Sequence, residues 1–251
     1  MHSDTTPSEA VTAAESRRSA PQQTFPRPVT GVDLLLAGLA VVVGPGVVAV
    51  LVIVTGVALD QPWLVSIAIP LATIAAGVSL YMALLRRGWA GRDLGFVRAR
   101  RRSLWHLLWE VPLLWVTALL LTILIGTLIG IGPAETTSTT SNSADALALG
   151  AVGVLATAVC VTILVPALEE ILFRRLLFGW LEQRFGIAAA LGGSAIVFGV
   201  VHVVPPVILL QFLIGLGAAL LVRAHRTLWA PLALHGLNNG TVTVVAVTLL
   251  Q

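Results

Sequence analysis

Seven apolar runs, most of them long enough to cross a lipid bilayer, constrain the fold of this sequence more than any other feature. Five runs have about 20 residues or more, which as an α-helix span roughly the 30 Å of a hydrocarbon core. The runs cover residues 32–58, 63–85, 104–131, 146–178, 187–203, 206–222 and 228–249. With 57% of its residues hydrophobic and only 11% charged, the chain cannot cover a soluble domain with polar surface. The sequence therefore predicts an all-α polytopic membrane protein, with about seven to eight transmembrane helices around an intramembrane polar cavity.

The basic residues lie in alternate connections between the apolar runs. All of them are arginines, and they cluster before the first run and at residues 86–102, 174–184 and 223–226. The connections around residue 60 and at 132–145 contain no lysine or arginine, which is the asymmetry of the positive-inside rule. This distribution predicts a cytoplasmic N-terminus in a plasma membrane. Because topology explains the positive charge, no nucleic-acid partner is predicted.

The chain divides into a polar tail and one helical domain. Residues 1–30 are rich in Ser, Thr, Pro and Ala and have no apolar core of their own, a composition typical of disorder. We therefore expect a disordered cytoplasmic tail at 1–30 and a transmembrane domain at 31–251. The single cysteine, Cys160, lies inside an apolar run, so no disulfide framework is expected.

Two adjacent glutamates interrupt the fourth apolar run. An ionisable side chain at the bilayer centre costs at least about 2.5 kcal/mol, so its presence there indicates a function. Residues four apart share a helix face, so Glu170 is expected to pair with Arg174. Glu169 lies about 100° further around the helix and is free to face a cavity. In the alternative interpretation, both glutamates extend to the interface and balance the nearby arginines.

Two more helices carry polar residues of the acid–base and metal-ligand types. His202 ends the fifth apolar run, whose other residues are almost all apolar or small. His235 and Asn239 are four apart in the last run, so one helix face presents an imidazole beside a carboxamide. Each of these residues alone could be a hydrogen-bonded packing residue between helices. Together with Glu169 they indicate a site.

These residue types are the ones that peptide hydrolysis requires. A buried carboxylate can take a proton from water and return it to the leaving amine, and an amide donor can bind the oxyanion. Two histidines and a carboxylate, here His202, His235 and Glu169, also form a workable zinc site with an open fourth position. The chain lacks His-Glu-x-x-His and Gly-x-Ser-x-Gly motifs. The residues leave both a glutamate–histidine mechanism and a zinc mechanism open.

In their order along the chain, these residues resemble the three motifs of the CPBP family, which contains the CAAX proteases and the bacteriocin-processing (Abi) enzymes. The motifs are Glu169-Glu170-x-x-x-Arg174, Phe198-x-x-x-His202 and His235-x-x-x-Asn239. The resembling core covers about residues 146–250, whereas the first three apolar runs resemble the family only in layout. The resemblance implies an intramembrane endopeptidase, related to the enzyme that removes the last three residues from prenylated CAAX proteins.

The resemblance also implies a role for each site residue. Glu169 would activate water together with His202. His235 and Asn239 would bind the oxyanion or, with His202, a metal ion, for which zinc is the candidate. Glu170 and Arg174 would brace the site. These roles define the expected catalytic set and the expected metal ligands His202, His235 and Glu169.

Two other functions are compatible with the same residues. A non-catalytic protein of the same fold, such as a bacteriocin self-immunity factor or a peptide-binding scaffold, would keep the polar site without turnover. A proton-coupled transporter would use the intramembrane Glu and His as a relay, but the sequence lacks paired broken helices in corresponding halves. The exclusive use of arginine indicates a GC-rich bacterial gene. Because most bacteria make no prenylated CAAX proteins, the expected substrate is another membrane-associated protein or peptide.

The fifth and sixth apolar runs are too short to cross the bilayer fully, and this determines the depth of His202. At 1.5 Å per residue, residues 187–203 span about 25 Å, and the following Pro205-Pro206 makes a helix break tolerable. We predict a tight helical hairpin that enters from the cytoplasm. It would bring His202 within about 8 Å of Glu169, close enough to share a water or a metal ion.

The residues that follow the two glutamates are expected to return to the cytoplasmic surface. The fourth helix should run to about Phe178, leaving Arg184 at that surface. Glu182 and His225 are interpreted as solvated cytoplasmic groups without a catalytic role.

Overall fold

A computed structural model describes residues 23–60, 67–130 and 150–249, and within these ranges all regular structure is helical. The α-helices are α1 (Gly31–Ala58), α2 (Ala68–Arg86), α3 (Leu107–Ile129), α4 (Gly150–Val159), α5 (Val165–Glu170), α6 (Phe178–Val200), α7 (Pro205–His225) and α8 (Trp229–Leu249). Two π-helical segments, π1 (Cys160–Leu164) and π2 (Ile171–Leu177), join α4 to α5 and α5 to α6. Short 3-10 helices occur at Gly91–Leu94 and Leu104–His106. The predicted loop at 132–145 lies outside the described residues.

Helices suited to a membrane dominate the described chain. Five are long and apolar enough to cross one, namely Gly31–Ala58, Ala68–Arg86, Leu104–Ile129, Gly153–Val200 and Pro205–His225. Large apolar side chains on these helices, such as Val57 and Leu128, are about three quarters exposed, as expected where lipid surrounds the protein. The predicted all-α polytopic membrane fold is confirmed, whereas the predicted count of seven to eight transmembrane helices is not.

A capping box and an ion pair fix the first two helices at one end. The hydroxyl of Thr30 accepts a hydrogen bond from the N–H of Asp33, and the Asp33 carboxylate accepts one from the N–H of Thr30. The same carboxylate accepts from Nε of Arg87, just beyond α2, at 3.0 Å. Midway along the helices, Gly44 lies so close to Ser79 that a side chain at residue 44 would overlap it. These contacts explain why α1 and α2 pack along each other.

The helix that carries the two glutamates is longer than the sequence predicted. It continues through π1, α5 and π2 into α6, and it bends only at Gly186, whose φ of 82° and ψ of −179° are non-helical. Glycine tolerates this conformation, which other residues rarely adopt. The expected end near Phe178 is therefore about two helical turns too early. Arg184, expected at a surface, is exposed just before the bend.

The predicted helical hairpin is present between α6 and α7. Helix α6 ends at Val200 and α7 begins at Pro205, so His202 lies in the four-residue turn between them. The two helices approach closely at Gly199, where an added Cβ would lie 2.9 Å from the carbonyl oxygen of Ile208. Glycine at this position therefore permits the tight turn that sets the position of His202.

Residues 23–30, which the sequence placed in the disordered tail, pack against the helical domain. In this segment, which we call the N-terminal strap, Phe25 and Val29 are buried. The N–H and the hydroxyl of Thr24 each donate to the Glu182 carboxylate at 2.9 Å. Glu182 is consequently not the solvated group that the sequence suggested, since its side chain is only 9% exposed. Residues 1–22 lie outside the described residues.

Candidate functional site

The adjacent glutamates have different environments although they share one helix. Glu170, the last residue of α5, is fully buried, whereas 28% of the Glu169 side chain is exposed. This difference follows from the helical period, which turns neighbouring residues about 100° apart. Glu169 is therefore the carboxylate that water and a substrate can reach. Glu170 can act only through its protein neighbours.

His235 on α8 lies between the two carboxylates. Its Nε2 is 3.2 Å from Oε2 of Glu169, and its Nδ1 is 3.0 Å from Oε1 of Glu170. Ionised carboxylates only accept hydrogen bonds, and a neutral imidazole has a single N–H. Satisfying both contacts therefore requires one further proton, either on the imidazole or on one of the carboxyl groups. The arrangement can keep an exchangeable proton next to Glu169.

Glu170 also connects His235 to a buried arginine. Its Oε2 lies 3.3 Å from Nε of Arg174, which is fully buried. The guanidinium carbon of Arg174 lies 4.4 Å from the centroid of the Phe198 ring, a cation–π distance. Because a well-packed apolar pair would usually serve stability as well as a buried ion pair, this pair indicates a positioning role. It fixes the carboxylate that orients the His235 ring.

His202 approaches the same region from the hairpin turn. Its Nδ1 lies 2.8 Å from the carbonyl oxygen of Phe198. A carbonyl can only accept, so Nδ1 carries the proton and, in the neutral ring, Nε2 is left as an acceptor. The Phe198 ring lies 5.0 Å from the His202 ring and 5.3 Å from the His235 ring, edge-on to both. His202 and Glu169, both described, make no direct ion pair, and their predicted approach within about 8 Å stays a prediction.

Asn239 has a structural contact in addition to its expected role. Its Nδ2 donates to the carbonyl oxygen of Val161 at 2.9 Å, and its Oδ1 accepts from Nδ2 of Asn238 at 3.2 Å. In π1 the Val165 N–H reaches back five residues to Cys160, and the next residue, Pro166, has no N–H to offer Val161. Asn239 therefore satisfies a carbonyl that its own helix cannot. The second N–H of the Asn239 amide is not used by this contact.

The proposed zinc ligands do not form a three-ligand site as they are arranged. No group of three or more His, Cys, Asp or Glu side chains in the described ranges is placed to bind a metal ion. His235 and Glu169 are adjacent, but each ring nitrogen of His235 already faces a carboxylate. A catalytic zinc site usually has three protein ligands. The chemistry of this site is therefore derived from its own acid and base groups.

Two residues that contribute to the site were not predicted from the sequence. Phe198 was part of a motif without a role, yet its ring touches both histidines and Arg174. Asn238 had no predicted role, but it is buried and donates to Asn239. Two adjacent amides in an apolar helix were a signal for Asn238, because polar groups in lipid need partners. The sequence offered no such signal for Phe198.

His225 was wrongly interpreted as a solvated group. It is fully buried, and its Nε2 lies 2.7 Å from Oε2 of Glu110 on α3. Its Nδ1 lies 3.1 Å from the carbonyl oxygen of Arg102, whose guanidinium is 2.7 Å from the same glutamate. This cluster is separate from the Glu169 site and ties the end of α7 to α3. The error arose because Glu110 lies 115 residues away in sequence.

Comparison with known proteins identifies the part of the chain that carries this site. Residues 151–241 match the family described as Type II CAAX prenyl endopeptidase Rce1-like. The predicted resemblance to CAAX-type membrane proteases is confirmed. The Rce1-like segment contains all six predicted site residues and lies within the predicted core of 146–250.

A curated relative and the solved structures complete the comparison. The protein "Putative membrane peptidase YdiL" of Bacillus subtilis (strain 168) is 32% identical over 80 residues, which is 32% of this chain. The matched region spans 33% of that relative, so the likeness covers about a third of each protein. No solved structure matches the chain. Both matches are to proteins described as peptidases.

Proposed function

We propose that this protein is an intramembrane endopeptidase of the CAAX-protease type, which hydrolyses a peptide bond of a membrane-associated protein or peptide. The observation that carries the proposal is the connected series Glu169–His235–Glu170–Arg174, with contacts of 3.2, 3.0 and 3.3 Å, in which only Glu169 is partly exposed. It lies within the segment that resembles the Rce1-like endopeptidases. Placing ionisable side chains inside a membrane-spanning helix costs free energy, and such residues typically have a function.

The proposed mechanism uses Glu169 as the general base. Its carboxylate takes a proton from a water that attacks the scissile carbonyl, and the proton is then delivered to the leaving amine. His202, with Nε2 as an acceptor, helps to orient the same water. The N–H of Asn239 that is not bonded to Val161 is the donor for the oxyanion. His235, whose two ring nitrogens face Glu169 and Glu170, orients the Glu169 carboxylate instead. Glu170 and Arg174 keep the His235 ring in position.

The activity is tested by replacing Glu169 with glutamine in bacterial cells and comparing the membrane peptides of wild-type and variant cells. Glu169→Gln retains the shape of the side chain but removes the base, so turnover should fall at least about 10²-fold. The matched control is Asp60→Asn, which neutralises an exposed carboxylate outside the Rce1-like segment. Peptides that depend on the enzyme should disappear in Glu169→Gln cells and persist in the control. Identical peptides in all three strains would contradict the proposal.

Metal dependence is a separate prediction, which the sequence left open between zinc and no metal. Because the described donors do not converge in a set of three, we expect turnover to survive prolonged treatment of the purified protein with a strong chelator. Activity that is lost and then restored by zinc would show that the site rearranges around a metal ion. The readout is cleavage of a peptide identified in the cellular comparison, measured before and after zinc addition.

The proposed location is a bacterial plasma membrane, with the N-terminus in the cytoplasm. The arginine-rich connections support this orientation. The proposed partners are the lipid bilayer and a membrane-associated substrate. The apolar helices around the site support these partners, because a substrate must reach Glu169 through lipid or through a gap between helices.

A further inference from the structure

A cavity lined by arginines lies outside the proposed catalytic site. It has a volume of about 140 Å³, enough for several waters or one phosphate group. The N-terminal strap, the connection between α2 and α3, π2 and the residue after α7 all contribute to its wall. Its charged lining residues are Arg27, Arg92, Asp93, Arg100, Arg175 and Arg226. Five cations and a single carboxylate thus surround one concave space.

The carboxylate in the wall does not neutralise these cations. Asp93 accepts from Nη1 of Arg27 at 3.2 Å and from the N–H of Ala90 at 2.9 Å. It therefore offsets one positive charge, and with Arg92, Arg100 and Arg175 also in the lining the wall stays predominantly positive. A concave, one-sign surface focuses its field and concentrates ions of the opposite sign. The cavity is electrostatically suited to an anion.

Arg175 is fixed in the cavity wall before any ligand arrives. It is almost completely buried, and its guanidinium lies between the rings of Phe25 and Trp89, at 4.7 and 4.6 Å. Its Nε and Nη2 donate to the main-chain oxygens of Asp93 and Arg27 at 2.6 and 3.0 Å. Its Nη1 finds no hydrogen-bond acceptor among the described residues. A guanidinium that is stacked and bonded to neutral carbonyls keeps its full charge for an anion.

The surroundings of Arg226, another lining residue of the cavity, change its pKa. Burial lowers the pKa of Arg226 from its ordinary value, as do the nearby Arg223 and Arg101, while the Glu182 carboxylate acts in the opposite direction. The planar donors of several guanidinium groups suit an acceptor with oxygens in several directions, as in phosphate.

We propose that this cavity binds a phosphate group, either of a lipid headgroup or of free phosphate. The arginine-rich ends of membrane helices lie where anionic headgroups are concentrated, and basic pockets there bind such headgroups. The N-terminal strap forms part of the wall, so ligand binding would stabilise its docking. This site is separate from Glu169 and does not depend on the proposed protease activity.

The test measures binding to the purified full chain in an uncharged detergent by titration calorimetry. The two probes are inorganic phosphate and a short-chain phosphatidylglycerol, with sodium chloride added to equalise ionic strength. The test variant is Arg92→Gln with Arg100→Gln, two exposed cavity residues. The control is Arg86→Gln with Arg98→Gln, which removes the same charge from exposed arginines outside the cavity lining.

The wild type should bind at least one probe saturably, and the cavity variant should bind it at least about tenfold more weakly. The control should remain within about twofold of the wild type. Binding of phosphatidylglycerol alone identifies a lipid headgroup as the source, and binding of inorganic phosphate as well identifies free phosphate as a ligand. Failure of the wild type to bind either probe, or equal weakening in both variants, would overturn the proposal. Thermal unfolding of each variant verifies that it is folded.

Discussion

Among the residues of the site, the buried pair of Glu170 and Arg174 is expected to be the most sensitive to substitution. Neither side chain has any exposed surface, so removing one leaves the other as an uncompensated charge in a low-dielectric environment. Glu170→Gln and Arg174→Met preserve approximate size, and each should lower the free energy of unfolding by about 3–5 kcal/mol. The double variant should lose less than the sum, with a coupling energy of at least about 1 kcal/mol.

Chemical denaturation in detergent micelles measures this cycle. The matched control is the pair of Asp33 and Arg87, which has a similar contact of 3.0 Å but an arginine that is 41% exposed. Its coupling energy should stay below about 1 kcal/mol, because solvent screens it. Additive losses at Glu170 and Arg174 would show that their charges do not compensate each other.

Local spacing predicted some of these residue contacts and not others. The pairing of Glu170 with Arg174 follows from four-residue spacing on one helix, and the geometry agrees with it. The position of His235 between two carboxylates could not be predicted in this way, since α8 is 65 residues further along the chain. The same applies to His225 and Glu110. Contacts between residues so far apart in the sequence are set by helix packing. The spacing of neighbouring residues in a single sequence does not reveal that packing.

At the element scale, Pro166 determines the contact between α8 and the glutamate helix. Asn239→Ala leaves the Val161 carbonyl without its donor, which should cost about 1–3 kcal/mol of unfolding free energy. Pro166→Ala restores an N–H five residues after Val161, within reach in the π register. The cost of Asn239→Ala should therefore be smaller in the Pro166→Ala background, as measured by denaturation of the four proteins.

Turnover of the same four proteins separates the two roles of Asn239. If Asn239 also donates to the oxyanion, the double variant should recover stability but not activity. An equal stability cost of Asn239→Ala in both backgrounds would show that Pro166 does not create the need for the Asn239 contact. The control is Thr241→Val, because the Thr241 hydroxyl only donates to the Leu237 carbonyl of its own helix.

Among the helical elements, the sequence predicted the turn that is marked by prolines. The hairpin of α6 and α7 was predicted from two apolar runs taken as too short to cross the bilayer and from Pro205-Pro206 between them. The structure has its turn there, but α7 has 21 residues and is long enough to cross a membrane, so the length argument is wrong for α7. The bend at Gly186 was missed, because a glycine in an apolar helix gives no sign of whether it bends the chain. The π segments were also missed, since an extra residue in a helical turn has no simple sequence pattern.

At the scale of the whole molecule, Asp93 connects the arginine-rich end to the N-terminal strap. The N–H of Ala90 and then the Arg27 guanidinium hold the pKa of the Asp93 carboxyl below its ordinary value of 3.8. A lowered folded-state pKa stabilises the fold above the unfolded-state value, and this contribution is lost as pH falls through the folded-state value. Asp93→Asn should therefore cost at most about 1 kcal/mol at pH 7, because the pair is partly exposed.

Thermal unfolding of wild type and Asp93→Asn at several pH values measures this contribution. The difference in melting temperature should be no more than about 4 °C near neutrality and should vanish only as pH falls through the folded-state pKa of Asp93, which lies below the ordinary value of 3.8. Asp60→Asn, at an exposed position, serves as the control without an expected shift. A difference that grows in acid would contradict the assigned sign.

The strap also sets an order of events during synthesis of the chain. Thr24 bonds to Glu182, which is 158 residues later in the sequence, so the strap has no docking partner until most of the protein has been made. At about 5–20 residues per second, that delay is roughly 8–30 s. During this interval the first two helices can already enter the membrane, while Phe25 stays accessible to chaperones and proteases. Burial of the N-terminal strap is thus a late step, and it can occur only after the helix that contains Glu169, Glu170 and Glu182 has been synthesised.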